Sequence, residues 1–164
     1  TPADAPAAAA IHVGSWQHTY RGLLPDAVIA RHTVASRTAA WTDWLTTPTT
    51  PQHRHHVVEL DGVVVGFAVT GLSRDDDASA DTFELFAIYL DPAYFGRGAG
   101  AALLGAALGE AATQGATAVT LWVLDSNTRA RGFYERMGFA RDGREKVDAG
   151  LGDARELRYR LALG

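Results

Sequence analysis

Apolar positions recur at helical spacing over residues 3 to 22, where Ala8, Ile11, Ser15, Trp16 and Tyr20 fall near one face. Thr1 suits an N-cap, Pro2 a first helical position and Asp4 an acid in the first turn, so the chain opens at the lip of a helix. The stretch "GLLPD" at 22–26 breaks it, and a second helical run is expected from about Asp26 to Leu45, with Trp41, Trp44 and Leu45 near its end. Prolines punctuate "TTPTTPQHR" at 46–54 as a loop. The period then shortens to two. Residues 56–72 read as a hairpin, because Asp61-Gly62 separates two runs rich in β-branched residues. A polar loop at 73–81 and a third strand at 82–90, "TFELFAIYL", follow.

Helical spacing returns with Leu103, Leu104, Ala107, Leu108 and Ala111, ahead of Gly115 as a helix-ending glycine. "AVTLWVL" at 118–124 is a strand. Residues 127–137 form a short helix, with Ala130, Phe133, Tyr134 and Met137 in register and Gly138 as the stop. Two alternating segments, "FARDGREKV" and "ARELRYRLAL", close the chain as a strand pair. Strand 82–90, helix 100–114 and strand 118–124 make a βαβ unit, so these two strands are expected to be parallel. The hairpin before and the pair after are antiparallel. The fold class is therefore α/β: one mixed, mostly antiparallel sheet with helices on both faces. There is no repeat and no sign of a second domain, which makes 1–164 a single domain.

Composition removes several function classes. The chain has 164 residues and no cysteine, which excludes disulfides, thiolate zinc sites and thiol nucleophiles. A formal net charge of −4 argues against a nucleic-acid partner held by bulk electrostatics. No run approaches the roughly 18 apolar residues of a membrane helix, and the start has no basic segment of a signal peptide. The expected location is cytoplasmic.

The segment "YFGRGAGAALL" at 94–104 places Gly96, Gly98 and Gly100 at the mouth of a helix. A helix N-terminus has unpaired N–H groups and partial positive charge, and glycines before it let a ligand approach the backbone, so this pattern suits a phosphate. Close helix–sheet packing is the alternative. Ala101-Ala102 occupies the place where a P-loop needs Lys-Ser/Thr, which excludes that motif. A dinucleotide fingerprint is formally present in Gly96, Gly98 and Ala101, with Asp125 ending the next strand. The inserted "DPAYF" and the lone βαβ unit weigh against it.

The segment "LDPAYFGRGAGAALL" resembles the acyl-CoA pyrophosphate loop of the GNAT family of N-acetyltransferases, written Q/R-x-x-G-x-G/A. "ELFAIYL" resembles the family's central bulged strand, and "NTRARGFYERMGF" its N-x-x-A-x-x-F-Y-x-x-x-G-F segment. The two motifs flank strand "VTLWVL" in the family's order. The element order from Pro2 to Leu163 is similar to the family's, except that its first strand would lie before Thr1. The family's Gln/Arg slot falls on Phe95, so one polar contact to the pyrophosphate is lost and Arg97 is expected to carry more of the charge pairing.

The resemblance implies direct attack of a primary amine on the thioester of acetyl-CoA, the co-substrate, with no metal. The backbone of Phe95, Gly96, Arg97, Gly98, Ala99, Gly100 and Ala101 would wrap the pyrophosphate. Glu84, the one acid of its strand, is the expected general base, with pairing to an arginine as the structural alternative. Tyr134 matches the family's general acid near the sulfur, with a core aromatic of the 130/133/134/137 stripe as the structural alternative, and Phe133 is expected at the cofactor site. The Ile88 N–H, at the expected bulge, would polarise the carbonyl. Leu90 would pair with the pantetheine arm in the gap between splayed strands 82–90 and 118–124, and Asn127 would contact CoA, cap its helix, or both. Trp16, Tyr20, Arg21 and Trp122 are the candidates for the acceptor site, Trp16 and Tyr20 first among them, with burial in the core as the structural alternative for each. The acceptor is a small-molecule or a peptide or protein amine, and a homodimer through the closing strands is open. A CoA-binding module without catalysis and a dinucleotide binder are the alternative functions.

Other features read as structural. "HRHH" at 53–56 is a polar strand entry rather than a metal site. "DDD" at 75–77 lacks the spaced ligands of a calcium loop and reads as a solvated loop. Arg141, Arg144, Arg155, Arg158 and Arg160 read as ordinary amphipathic patterning.

Overall fold

In the computed structural model of the chain, residues 1–46 and 53–164 are described. Most of the expected loop at 46–54 lies outside them. Helix α1 (Ala5–Tyr20) follows the predicted stripe. The expected second helix is two helices, α2 (Asp26–Ile29) and α3 (Val34–Thr46). The break has a local cause. The Ser36 N–H donates to Thr33 Oγ1, and the Thr33 N–H donates back to Ser36 Oγ, both at 3.2 Å. Such a reciprocal cap starts a new helix wherever it occurs.

Six strands form one sheet in the order β1-β2-β3-β4-β6-β5. They are β1 (Arg54–Leu60), β2 (Val63–Leu72), β3 (Thr82–Leu90), β4 (Ala118–Leu124), β5 (Ala140–Asp148) and β6 (Ala154–Ala162). Asp61 and Gly62 both have positive φ at the β1–β2 turn, the geometry an Asp-Gly hairpin favours. β3 and β4 are parallel and every other pair is antiparallel, as expected. The closing pair is inserted with its second strand innermost, β6 lying between β4 and β5.

Helix α4 (Ala99–Thr113) covers one face, burying Leu103, Leu104, Ala107 and Ala111 with Phe83, Leu85, Val119 and Leu121 of the sheet. Full burial of each leucine contributes about 1.5–3 kcal/mol. Helix α5 (Thr128–Arg136) packs Phe133 and Tyr134 on the same cluster. On the opposite face, α1 and α3 pack Ala8, Ile11 and Trp41 against Phe67 and Val69.

Two irregularities open the sheet and turn its side chains. The β3–β4 ladder has three pairs and stops at Glu84↔Thr120, so the strands diverge beyond it. In the β2–β3 ladder Val69 pairs with Ala87 and Thr70 with Leu85, which leaves Phe86 as an extra residue. The bulge thus lies at Phe86, two residues before its expected place at Ile88. It changes the alternation of the strand: Phe83 and Leu85, then Ile88 and Leu90, pack with α4, whereas Phe86, Ala87 and Tyr89 pack with α1 and α3.

Candidate functional site

Where β3 and β4 part, the gap opens into a cleft of about 490 Å³. Its walls bring together Ile88 and Leu90 from β3, Gly96, Gly98, Gly100 and Ala101 from the glycine segment, Asn127, Phe133 and Tyr134 from α5, and Tyr20 from α1. Phe95 stands at the same wall. With Trp122, which also lines it, twelve residues expected to function share one cavity.

The glycine segment is built as the sequence suggests. Gly96 and Gly98 have φ of 75° and 84°, and Gly98 is the N-cap of α4. A Cβ at either would meet nothing within 4 Å, so the space over this backbone is open. The first-turn N–H groups of α4 have no intrahelical acceptor. Gly100 has an ordinary backbone, and a Cβ there would touch Leu90 and Phe133 at 3.5 and 3.7 Å. Asn127 caps α5: its side-chain oxygen accepts from the Ala130 N–H at 3.1 Å.

Other predicted residues lie elsewhere. Arg97 and Ala99 are not in the cleft wall; the Arg97 guanidinium stands over the Tyr94 ring and Ala99 is core. The cations of the wall are Arg129 and Arg136. Arg129 lies 4.0 Å over the Phe95 ring, so the aromatic residue in the family's Gln/Arg slot supports a cation from α5. Trp16 faces a second cavity, but its ring lies 4.4 Å from that of Tyr20.

Glu84 is 4% exposed and sits at the apex where the strands part, outside the cleft wall. Exposed Arg74 donates to it from its backbone N–H at 3.2 Å and from Nη2 at 2.8 Å. The carboxylate in the wall is Glu156 of β6, 8% exposed and opposite Leu124. Burial pushes its carboxyl up from the usual carboxylate range; Lys146, 3.4 Å away, partly opposes the rise, and Asp148 and Glu84 add to it. Sequence reasoning missed Glu156. Its signal was parity: Glu156 shares a face with Arg158, alternating with the buried Leu157 and Tyr159. Burial also raises the phenol of Tyr134, and that of Tyr20, so both keep their protons at neutral pH.

The loop at 73–81 is not simply solvated. Arg158, 8% exposed, donates to Asp142 at 2.6 Å, to Asp75 at 3.0 Å and to Asp77 at 2.7 and 2.9 Å. Asp75 also accepts from Trp122 Nε1 at 3.0 Å. The acidic run therefore satisfies a buried guanidinium, and Arg158 departs from the amphipathic pattern of its neighbours. His53 and His55 stack at 5.1 Å and line the second cavity, so "HRHH" is more than a polar strand entry.

Comparison with known proteins agrees with this geometry. An uncharacterized N-acetyltransferase of Mycobacterium tuberculosis is 41% identical over 95 residues, which are 58% of this chain and 58% of the relative. The match thus spans under two thirds of that relative's length. The PaiA N-acetyltransferase of Thermoplasma acidophilum, solved with coenzyme A, superposes with a TM-score of 0.75 at 18% identity, covering 99% of this chain and 95% of that one. The ribosomal-protein-alanine N-acetyltransferase of Brucella melitensis gives 0.76 at 22% identity, covering 99% and 96%. Both are likenesses of fold. The profile of the acetyltransferase (GNAT) family matches residues 16–139, most of the chain and the cleft residues from Tyr20 to Tyr134 but not Glu156, and the chain belongs to that family.

Proposed function

We propose that the chain transfers acetyl from acetyl-CoA to a primary amine in one direct step. The observation that carries this reading is the single cleft that joins an N–H-rich glycine turn, a proton-bearing phenol and a buried carboxylate of raised pKa. The open backbone of Gly96 and Gly98 and the start of α4 suit a pyrophosphate, and Arg129 adds charge at the rim. Main chain of β3 beyond Glu84, freed from the β4 ladder, suits the amide-bearing arm of the donor and the thioester oxygen.

The amine nitrogen attacks the thioester carbonyl carbon and the carbon–sulfur bond breaks. Glu156 takes the proton the ammonium must lose, and Tyr134 gives its phenol proton to the departing sulfur. The nitrogen loses two protons in all: the first passes before attack through Glu156 to solvent, and the second, shed as the carbon–sulfur bond breaks, restores the Tyr134 phenol. Glu84, held by Arg74 outside the cleft wall, takes no part in the proton transfer.

A thermal-shift titration with acetyl-CoA, CoA and NAD side by side tests the donor site. At about 100 times its Kd a ligand adds about 2.7 kcal/mol, which is several degrees for a domain of this size. Acetyl-CoA and CoA are expected to stabilise and NAD to do nothing; stabilisation by NAD alone would overturn the reading. Gly98→Val probes the cradle. Left-handed backbone costs a non-glycine residue about 1–2 kcal/mol, and a β-branched side chain also fills the space over the turn. The variant is expected to fold with a slightly lowered Tm and to bind CoA at least tenfold more weakly by calorimetry.

A further inference from the structure

A second cavity of about 530 Å³ lies on the α1/α3 side of the sheet. Trp41 and Trp44 of α3, Trp16 of α1, and Phe67, Phe86 and Tyr89 of the sheet supply aromatic rings to its wall. We propose that it holds the aromatic ring of the acceptor, and that the acceptor is an arylalkylamine whose ring carries a hydroxyl group. This rests on the acetyl-transfer reading above.

Three observations support that chemistry. First, the cavity wall contains no aspartate or glutamate among the described residues, and its one full charge is Arg74. Its imidazoles are neutral at physiological pH: burial lowers His12 and His55 to about 4, and lowers His32 and His53 as well. Such a wall rejects a polycation and accepts a flat, uncharged group. Second, Trp16 Nε1, Trp41 Nε1 and His12 Nδ1 are buried without a hydrogen-bond partner. These residues are 6%, 2% and 7% exposed. Native interiors seldom leave such atoms unpaired. Indole N–H groups only donate, so the missing partner is an acceptor oxygen, and a ring hydroxyl supplies one. Third, the cavity adjoins the cleft. Tyr89 walls both, and Trp16 of this cavity touches Tyr20 of the cleft. A ring seated here is parted from the cleft that holds Glu156 by Tyr89 and by the Trp16–Tyr20 contact.

Three probes test it: tyramine, phenethylamine and spermidine, each assayed for CoA release with acetyl-CoA present. The absence of cysteine leaves no protein thiol to interfere with a thiol readout. Tyramine is expected to have a kcat/KM at least tenfold above spermidine and several-fold above phenethylamine. Tyramine alone is also expected to change the tryptophan fluorescence saturably, since three of the four tryptophans line the cavity. Ala87→Leu, which fills the cavity from β3, is expected to raise the KM for tyramine at least tenfold and keep acetyl-CoA affinity, the check on its fold. Preference for spermidine, or an unchanged tyramine KM in the folded variant, overturns the proposal and leaves acetyl transfer standing. Turnover of none of the three with no fluorescence change overturns it too. Saturable fluorescence change with bound acetyl-CoA but no turnover supports the cavity's ligand class and overturns the transfer reading instead.

Discussion

Glu156→Gln is expected to lower kcat/KM by at least about 100-fold, the lower end of what a positioned general base contributes. CoA affinity is expected to stay within a few-fold, because Glu156 stands on β6 and is no part of the glycine turn proposed to hold the donor. The pH profile separates a catalytic role from a structural one. A base works deprotonated, so kcat/KM of the wild type should fall as pH drops through the raised pKa of Glu156, and the variant should lack that limb. Stability moves the opposite way. An acid whose folded pKa exceeds its unfolded value binds more protons in the folded state between the two, so it loses stability as pH rises through that window. The glutamine variant escapes this loss. It should melt above the wild type at pH 8 and level with it near pH 4, as read by calorimetry. Glu84→Gln, which breaks the Arg74 pair, is expected to cost less activity than Glu156→Gln; the reverse order would move the base role to Glu84.

Arg158→Met is the largest expected loss of stability. The substitution keeps the apolar stem and removes a guanidinium that holds Asp75, Asp77 and Asp142 together. Breaking a fully buried pair costs about 3–5 kcal/mol. Asp77 is about one third exposed, so solvent takes up part of the cost and about 2–3 kcal/mol is expected. That corresponds to a Tm lowered by about 5–10 °C in a domain of this size. Arg158 is the main cause that holds the Asp77 carboxyl below the usual range, with Arg144 adding to it. A depressed carboxylate contributes stability that is present above its unfolded pKa and lost as pH falls through the folded one. The gap between wild type and variant should therefore be full above about pH 4, near the unfolded aspartate value, and shrink below it. Arg158→Lys restores charge without the fork and should fall between the two. A Tm for Arg158→Met within 2 °C of wild type at pH 7 would show the cluster to be solvated after all.

Much of this architecture is readable without coordinates because its signals are local. Asp61-Gly62 fixes a hairpin, and the spacing of Leu103, Leu104 and Ala107 fixes a helix. The Thr33-x-x-Ser36 cap is equally local and marks the break that apolar spacing passed over. What was not readable depends on contacts distant along the chain. Asp75 and Asp77 resemble a solvated run until β6, some 80 residues later, brings Arg158 against them. Phe95 looks like the loss of a polar contact until α5 places Arg129 on its ring. Glu84 and Glu156 are each an acid among apolar neighbours. Only the insertion of β6 beside β4 decides which one faces the cleft.

The extra residue at Phe86 also bears on how β3 can vary. Point substitutions there change one side chain at a time. Flattening the bulge at constant length would restore a regular ladder and exchange the faces of everything after it: Tyr89 would turn toward α4, and Ile88 and Leu90 toward α1, whereas deleting Phe86 would leave them on their present faces. With the bulge flattened, both cavities would lose their shared wall at once. The parity of β3 after the bulge, more than the identity of any one residue, is the property that variants of this chain have to preserve.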